Sequence, residues 1–191
     1  MRRNTIWINF VQVPTLLKDL VAKMPDTTSF LRRHGYLLSL VTSKLDEQMM
    51  SVLVQFYDLL YHCFTFQDYQ LVPTLEEFSE LLGISILEQT PFTGWEKILR
   101  PEEIAAALHL TKEEVMANWE TRSGAKGFLT KFLVGKANYF WDGLDFKAFE
   151  DILALLIYGL VLFPNPVTLV DVNAIKIFIS QNPVYPHVTL P

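Results

Sequence analysis

The chain has a single cysteine, Cys63, and this scarcity excludes two kinds of framework. One thiol cannot close an intrachain disulfide, and it cannot supply the several cysteines of a structural zinc site. Because Cys63 stands in the aromatic stretch YHCFTF, we expect a buried and unreactive thiol rather than a nucleophile. The shortage of cysteine favours a reducing compartment, the nucleus or the cytosol, and the chain is not expected to be secreted.

Long hydrophobic runs are also missing. The longest, residues 152–163, is shorter than the roughly 18 residues that cross a bilayer, and it contains Gly159. It therefore predicts a buried core helix and no membrane association. The apolar stretch at the N-terminus is interrupted by Asn9 and Gln12, which argues against a secretory signal.

The charge balance has no large excess of either sign. The net charge is -5 over 191 residues, and half of the residues are hydrophobic. This composition is typical of a folded globular protein, and we expect residues 1–191 to form one domain. It predicts no bulk attraction to nucleic acid or to anionic lipid.

What the sequence does contain is helical signals. Apolar residues recur at helical spacing in residues 14–25, 27–41, 46–64 and 128–141, and two Thr-x-x-Glu capping boxes occur, Thr74 with Glu77 and Thr111 with Glu114. RSGAKG, residues 122–127, is interpreted as a loop. Residues 170–183 are rich in β-branched residues, but Asp171 can cap a helix there, and helix is preferred. The pattern predicts an all-α fold, a compact irregular bundle of short capped helices around a central apolar helix at about 146–163.

The phrase LVPTLEEFSELLGI, residues 71–84, invites comparison with a DNA-binding helix-turn-helix. A recognition helix presents basic or amide side chains to DNA, whereas both capped helices open with glutamates, at 76–77 and 113–114. Sequence-specific DNA binding by these helices is therefore not expected.

The most basic part of the chain lies around residues 122–136. Its four cations are candidates for a phosphate or nucleic-acid contact: Arg122, Lys126, Lys131 and Lys136. The spacing of a P-loop is absent, and the ordinary alternative is a solvated loop followed by the polar face of a helix.

No other residues form a recognisable catalytic, metal or cofactor site. The histidines, at positions 34, 62, 109 and 187, lack metal-ligand spacing, so a metal site would have to assemble from distant parts of the chain. Arg32, Arg33 and His34 are interpreted as a solvated helix face. Pairs of neighbouring carboxylates fall at predicted helix starts, where capping and the helix dipole explain them. We therefore expect no catalytic residue, no metal and no cofactor.

Four stretches carry a family resemblance: LVQFYDLLYHCFTFQDYQLVPTLEEFSELLGI, PFTGWE, IAAALHL and FEDILALLIYGLVLFPN. They resemble the plant mobile domain family, in particular its retrotransposon-derived branch, and the likeness spans about residues 30–183. The resemblance implies a helical domain linked to transposon silencing or genome maintenance. Family members commonly continue further, which suggests a chain truncated at its C-terminus. The aminotransferase-like label of that family is not supported, because a transaminase needs a Schiff-base lysine on a larger α/β scaffold.

Three hypotheses for function follow. The first is a non-enzymatic, transposon-derived domain that binds other proteins. The second is a nucleic-acid-associated domain that uses the four cations at 122–136. The third, an enzyme of unknown chemistry, is residual, because no nucleophile, base and oxyanion donor occur together.

Overall fold

A computed structural model describes residues 14–43, 47–58, 63–71, 76–77, 80, 83, 98–164 and 168–180, and the structural statements below concern these residues. Nine α-helices occur in this part of the chain: α1 Thr15–Lys23, α2 Thr28–His34, α3 Ser39–Thr42, α4 Glu47–Leu53, α5 Pro101–Leu108, α6 Lys112–Asn118, α7 Thr130–Asp142, α8 Phe146–Ile157 and α9 Val172–Ser180. Short 3-10 segments follow α2 and α4, at Gly35–Leu38 and Val54–Phe56, and Tyr158–Leu162 continues α8 as a π-helix.

Two antiparallel sheets of three strands each accompany the helices. The first sheet contains β1 Tyr57–Asp58, β2 Cys63–Thr65 and β3 Gln70–Leu71, and the second contains β4 Trp119–Arg122, β5 Ala125–Leu129 and β6 Leu169–Asp171. The prediction of an all-α fold is therefore wrong, and the protein is mixed. Its strands are two to five residues long, which is too short to give a strong alternating pattern against helical neighbours.

The second sheet replaces the loop predicted at residues 122–127. Ser123 and Gly124, at φ 48° and 87°, form the two-residue turn between β4 and β5, and Arg122 pairs with Ala125 across it. Two positive φ values match the right-handed twist of a hairpin. Phe128 and Leu129 consequently belong to β5, and α7 begins only at Thr130.

The first sheet shortens a helix predicted over residues 46–64. Helix α4 ends at Leu53, and the chain passes through a 3-10 turn into β1 at Tyr57. Met49, Val52 and Phe56, expected on a packed face, are exposed. The β-branched and aromatic residues after Ser51 favour extended backbone, and packing between strands stabilises it.

The predicted central helix is confirmed at α8 with its π-helical extension. All of its α-helical residues before Tyr158 are buried except Phe146, Lys147 and the partly exposed Asp151. Helices α1, α5, α7 and α9 pack around it. Asp145 caps it, because its Oδ1 accepts a hydrogen bond from the backbone N–H of Ala148 at 3.0 Å.

The other capping predictions have mixed outcomes. The Thr111–Glu114 box is confirmed, with reciprocal bonds of 2.9 and 3.1 Å, and Asp171 caps α9 at the backbone of Asn173 and Ala174. Thr15 is the first residue of α1 and does not cap it. Thr74 and the tail at 184–191 lie outside the described residues, but Gly83 has the predicted left-handed conformation, φ 64°.

Candidate functional site

A group of five charged or ionisable side chains meets beside the core, and we call it the ionic cluster: Arg33, His34, His109, Glu150 and Asp151. Asp151 is its centre. Its Oδ1 lies 2.9 Å from Nη1 of Arg33 and 3.0 Å from Nε2 of His34, and its Oδ2 lies 2.8 Å from Nε2 of His109. Because an ionised carboxylate only accepts hydrogen bonds, both imidazoles donate from Nε2.

Glu150 completes the cluster on its other side. It is buried, pairs with Nη2 of Arg33, and accepts a hydrogen bond from Oγ of Ser29 at 3.2 Å. Consecutive residues on a helix point in different directions, and the two carboxylates accept from different nitrogens of one guanidinium, Asp151 from Nη1 and Glu150 from Nη2. Arg33 therefore holds α2 against α8 through both.

His109 reaches Asp151 because of its unusual backbone. It follows the last residue of α5 in the left-handed conformation, at φ 55° and ψ 33°. This conformation costs a residue with a Cβ about 1 kcal/mol, and glycine is the usual choice there. The hydrogen bond from His109 to Asp151 offsets the cost of this backbone conformation.

The ionic cluster lowers the pKa of Asp151 below its ordinary value of 3.8. Burial is the largest influence and acts in the opposite direction, but the hydrogen bonds from His34 and His109, together with the charge of Arg33, outweigh it. The carboxylate is therefore ionised at neutral pH. Elsewhere in the core, burial raises the pKa of Tyr158 to about 12.

The arrangement of the ionic cluster is suited to holding the fold together. Both oxygens of Asp151 and Oε2 of Glu150 accept from donors on α2 and at the end of α5, and a guanidinium beside Asp151 opposes a metal cation. Within the described residues, no group of three or more His, Cys, Asp and Glu side chains is arranged to hold a metal ion. We therefore assign the cluster to the joining of three helices.

Sequence reasoning missed the ionic cluster. Arg33 and His34 were expected on a solvated face, and this was wrong: both are partly buried against Asp151. The available signal was the pair Glu150 and Asp151 in an otherwise apolar helix, because buried carboxylates need partners. Which distant cations would supply them could not be known from spacing.

The four predicted cations do not share one role in the structure. Arg122 pairs with Glu120 at 2.9 Å, and Lys136 pairs with Glu114 and lies over the ring of Tyr139. Lys126 and Lys131 are exposed and form no ion pair with any residue that the structure describes. The phosphate contact stays a prediction, with two of its four charges already compensated by carboxylates.

The first sheet presents an apolar surface that the sequence analysis did not single out. Paired residues of neighbouring strands share a face, so Tyr57, Phe64 and Leu71 lie on the same side of the sheet. Phe66, two positions after Phe64, continues this side, and its N–H donates to the carbonyl of Tyr69 at 2.9 Å, which closes the β2–β3 turn. We call this surface, with the adjoining ring of Phe56, the aromatic face.

Neighbouring rings of the aromatic face contact one another. Phe66 stacks on Phe56 at 4.9 Å between ring centroids, and Tyr69 stacks on Phe66, also at 4.9 Å. Tyr57 meets Phe64 edge to face at 5.1 Å. Partial burial, with a smaller influence of Cys63, raises the pKa of Tyr57.

The aromatic face is open at its edge. Tyr69, Leu71 and Phe56 expose 58%, 51% and 41% of their surface. On the opposite side, Cys63 is buried and free, as predicted, and its Sγ lies 3.6 Å from Oγ1 of the exposed Thr65. The rings at the edge of the aromatic face are therefore accessible from solvent.

The described part of the chain offers no candidate for a membrane-spanning helix. None of the described helices combines the length and the apolar character that crossing a bilayer requires.

Comparison with known proteins corrects the resemblance proposed from sequence. The chain has no significant match among curated proteins or among solved structures. A family model does match, over residues 16–189, and it is not that of the plant mobile domain or of an aminotransferase-like family. Two of the short phrases that suggested the plant mobile domain, IAAALHL and FEDILALLIYGLVLFPN, begin in the helices α5 and α8, and apolar helical phrases of this kind are shared by unrelated helical proteins. The chain belongs to the family described as Domain of unknown function (DUF7745).

Proposed function

We propose that this protein is a non-enzymatic interaction domain that binds another protein through the aromatic face. The observation that carries the proposal is the outward exposure of stacked rings on a sheet whose other side contains a buried cysteine. Aromatic residues are enriched where proteins bind one another, because they bury a large area with little loss of conformational freedom.

The neighbouring helix extends the apolar surface. Met49, Val52 and Phe56 are exposed and spaced three and four residues apart, so they lie on one side of α4 and its 3-10 extension. Phe56 contacts Phe66 and so joins this stripe to the sheet. A contiguous apolar surface of this kind favours a binding role over a purely solvated one.

A link to transposons was implied only by the resemblance to the plant mobile domain family. Since the chain belongs to another family, the proposal does not include that link. It also needs no catalytic group, metal or cofactor.

Photo-crosslinking at the aromatic face tests the proposal. The chain with Tyr69→p-benzoylphenylalanine is irradiated in an extract of the source organism, with the same amino acid at Leu144, an exposed position of the α7–α8 turn, as a control. We expect a saturable protein adduct from position 69 alone.

Competition decides whether that adduct reports a specific site. Excess unlabelled wild-type protein should abolish it, whereas the Tyr69→Ser variant, first shown to be folded by circular dichroism, should not. Equal competition by both proteins, or no saturable adduct, would overturn the proposed function.

A further inference from the structure

The aromatic face lies in a part of the chain whose charge differs from the rest. Residues 45–96 contain nine Asp and Glu residues and no Lys or Arg, while the remainder holds 12 acidic and all 16 basic residues. The net charge of -5 is therefore a sum of -9 in this segment and +4 elsewhere. Basic and acidic residues are interspersed along the rest of the chain but not here.

One of these carboxylates is next in the chain to a ring of the aromatic face. Asp68 lies in the turn between Phe66 and Tyr69 and is exposed, like Gln67 before it. The turn that carries the ring of Tyr69 therefore also carries an exposed negative charge.

We propose that the aromatic face binds an arginine-rich segment of a partner protein. This inference rests on the proposed function and names the chemistry of the partner. A guanidinium stacks on aromatic rings and pairs with carboxylates through its planar fork, so one side chain can use both features of the surface. An ammonium group is more strongly hydrated and lacks the planar fork.

Charge distinguishes an arginine-rich partner from two other ligands that exposed rings can bind, single-stranded nucleic acid and a second copy of the chain. Bases of single-stranded nucleic acid also stack on aromatic side chains, but such sites pair the rings with a positively charged groove, and residues 45–96 have no Lys or Arg to supply one. A second copy of the chain would oppose one acidic segment to another, and like charges across an interface repel.

Fluorescence anisotropy with the full chain and defined peptides tests the proposal. The probes are a labelled dodecapeptide of alternating Arg and Gly, its Lys-for-Arg counterpart and its Glu-for-Arg counterpart. We expect the arginine peptide to bind, the lysine peptide to bind about three-fold more weakly, and the glutamate peptide not to bind.

Variants of the surface locate the binding. Tyr69→Ser and Asp68→Asn should each weaken the arginine peptide about three-fold, while Tyr69→Phe, which keeps the ring, should retain affinity. Leu144→Ser and Asp142→Asn are matched controls, since they change one exposed apolar and one exposed acidic residue near the α7–α8 turn. Their affinity should equal that of the wild type.

Five results would overturn the inference. Equal binding of the lysine and arginine peptides with no effect of Tyr69→Ser would mean attraction by net charge alone. A dimer that dissociates in the Tyr69→Ser variant would assign the face to a second copy, and tighter binding of oligo(dT) would assign it to nucleic acid. A saturable protein adduct at position 69 without binding of the arginine peptide would leave the proposed function standing and remove this inference, whereas failure of both experiments would remove both.

Discussion

Nε2 of His109 lies 2.8 Å from Oδ2 of Asp151, although the two residues are 42 positions apart in the chain. This hydrogen bond ties the end of α5 to the first half of α8. With Arg33 and His34 on the other carboxylate oxygen, Asp151 joins three helices that share few other polar contacts among the described residues.

Removing the Asp151 carboxylate should destabilise the fold. Asp151→Ala leaves the two imidazoles and Nη1 of Arg33 partly buried without their acceptor, although Glu150 still pairs with Nη2 of Arg33. We therefore expect the free energy of unfolding to fall by about 3 kcal/mol. Urea denaturation followed by circular dichroism measures this change. Asp142→Ala, at an exposed aspartate, is the control and should change stability little; an equal loss in both variants would contradict the role given to the ionic cluster.

The lowered pKa of Asp151 predicts loss of stability in acid. A group with a lower pKa in the folded than in the unfolded state adds stability that is fully present above its unfolded value, here near 3.8, and is lost as the pH falls through its folded value. Wild-type protein should therefore lose more stability than Asp151→Asn below about pH 4. Thermal melts of both proteins between neutral and strongly acidic pH measure the difference, and parallel curves would refute the prediction.

Leu144 occupies a position that glycine usually takes. It has φ 59° in the turn after α7, where its N–H donates to Trp141 O at 3.1 Å and the N–H of Asp145 donates to Phe140 O at 2.9 Å. Its side chain is 71% exposed, so no packing offsets the left-handed conformation. Leu144→Gly should raise the free energy of unfolding by up to about 1 kcal/mol.

The control for that prediction is Leu144→Ala, which removes most of the exposed side chain but keeps the Cβ. It should give no comparable gain in melting temperature. If alanine stabilised the protein as much as glycine, exposure of the leucine rather than its backbone conformation would be the cause.

Gly127 should not tolerate a side chain. A Cβ there would lie 2.0 Å from the carbonyl oxygen of Val170, in the backbone of the neighbouring strand β6. Gly127→Ala must separate β5 from β6, and we expect a loss of roughly 3 kcal/mol in the free energy of unfolding. Gly135→Ala is the matched control: no atom lies within 4 Å of its added Cβ, and inside α7 alanine should stabilise by about 0.5–1 kcal/mol. Chemical denaturation of both variants tests whether the free energy of unfolding falls in Gly127→Ala and rises in Gly135→Ala.

Local patterns predicted a large part of the fold. The apolar run ending at Phe163 predicted the central helix, Thr111 with Glu114 predicted a helix start, and Cys63 was expected to be buried; each is confirmed. These features depend on residues within one or two turns of each other, so the sequence carries them directly.

The sheets and the ionic cluster could not be predicted in the same way. Whether Tyr57 continues a helix or pairs with Phe64 depends on what lies opposite it, and strand β6 pairs with β5 across some 40 residues of chain. The partners of Glu150 and Asp151 on α2 come from more than 100 residues earlier, and His109 comes from 42 residues earlier. A pattern of spacing contains no information about such distant pairs.

By itself, the sequence determined the central helix, the start of α6 and the burial of Cys63, and that residues 45–96 carry only negative formal charge at neutral pH. These follow from capping, hydrophobicity and composition, which act locally or by simple addition. Only the tertiary structure decided that two histidines share Asp151, that Lys136 is neutralised by Glu114, and that the rings of Phe56, Phe66 and Tyr69 form one outward surface. Each of these depends on side chains brought together by burial of the core, which no local rule of the chain specifies.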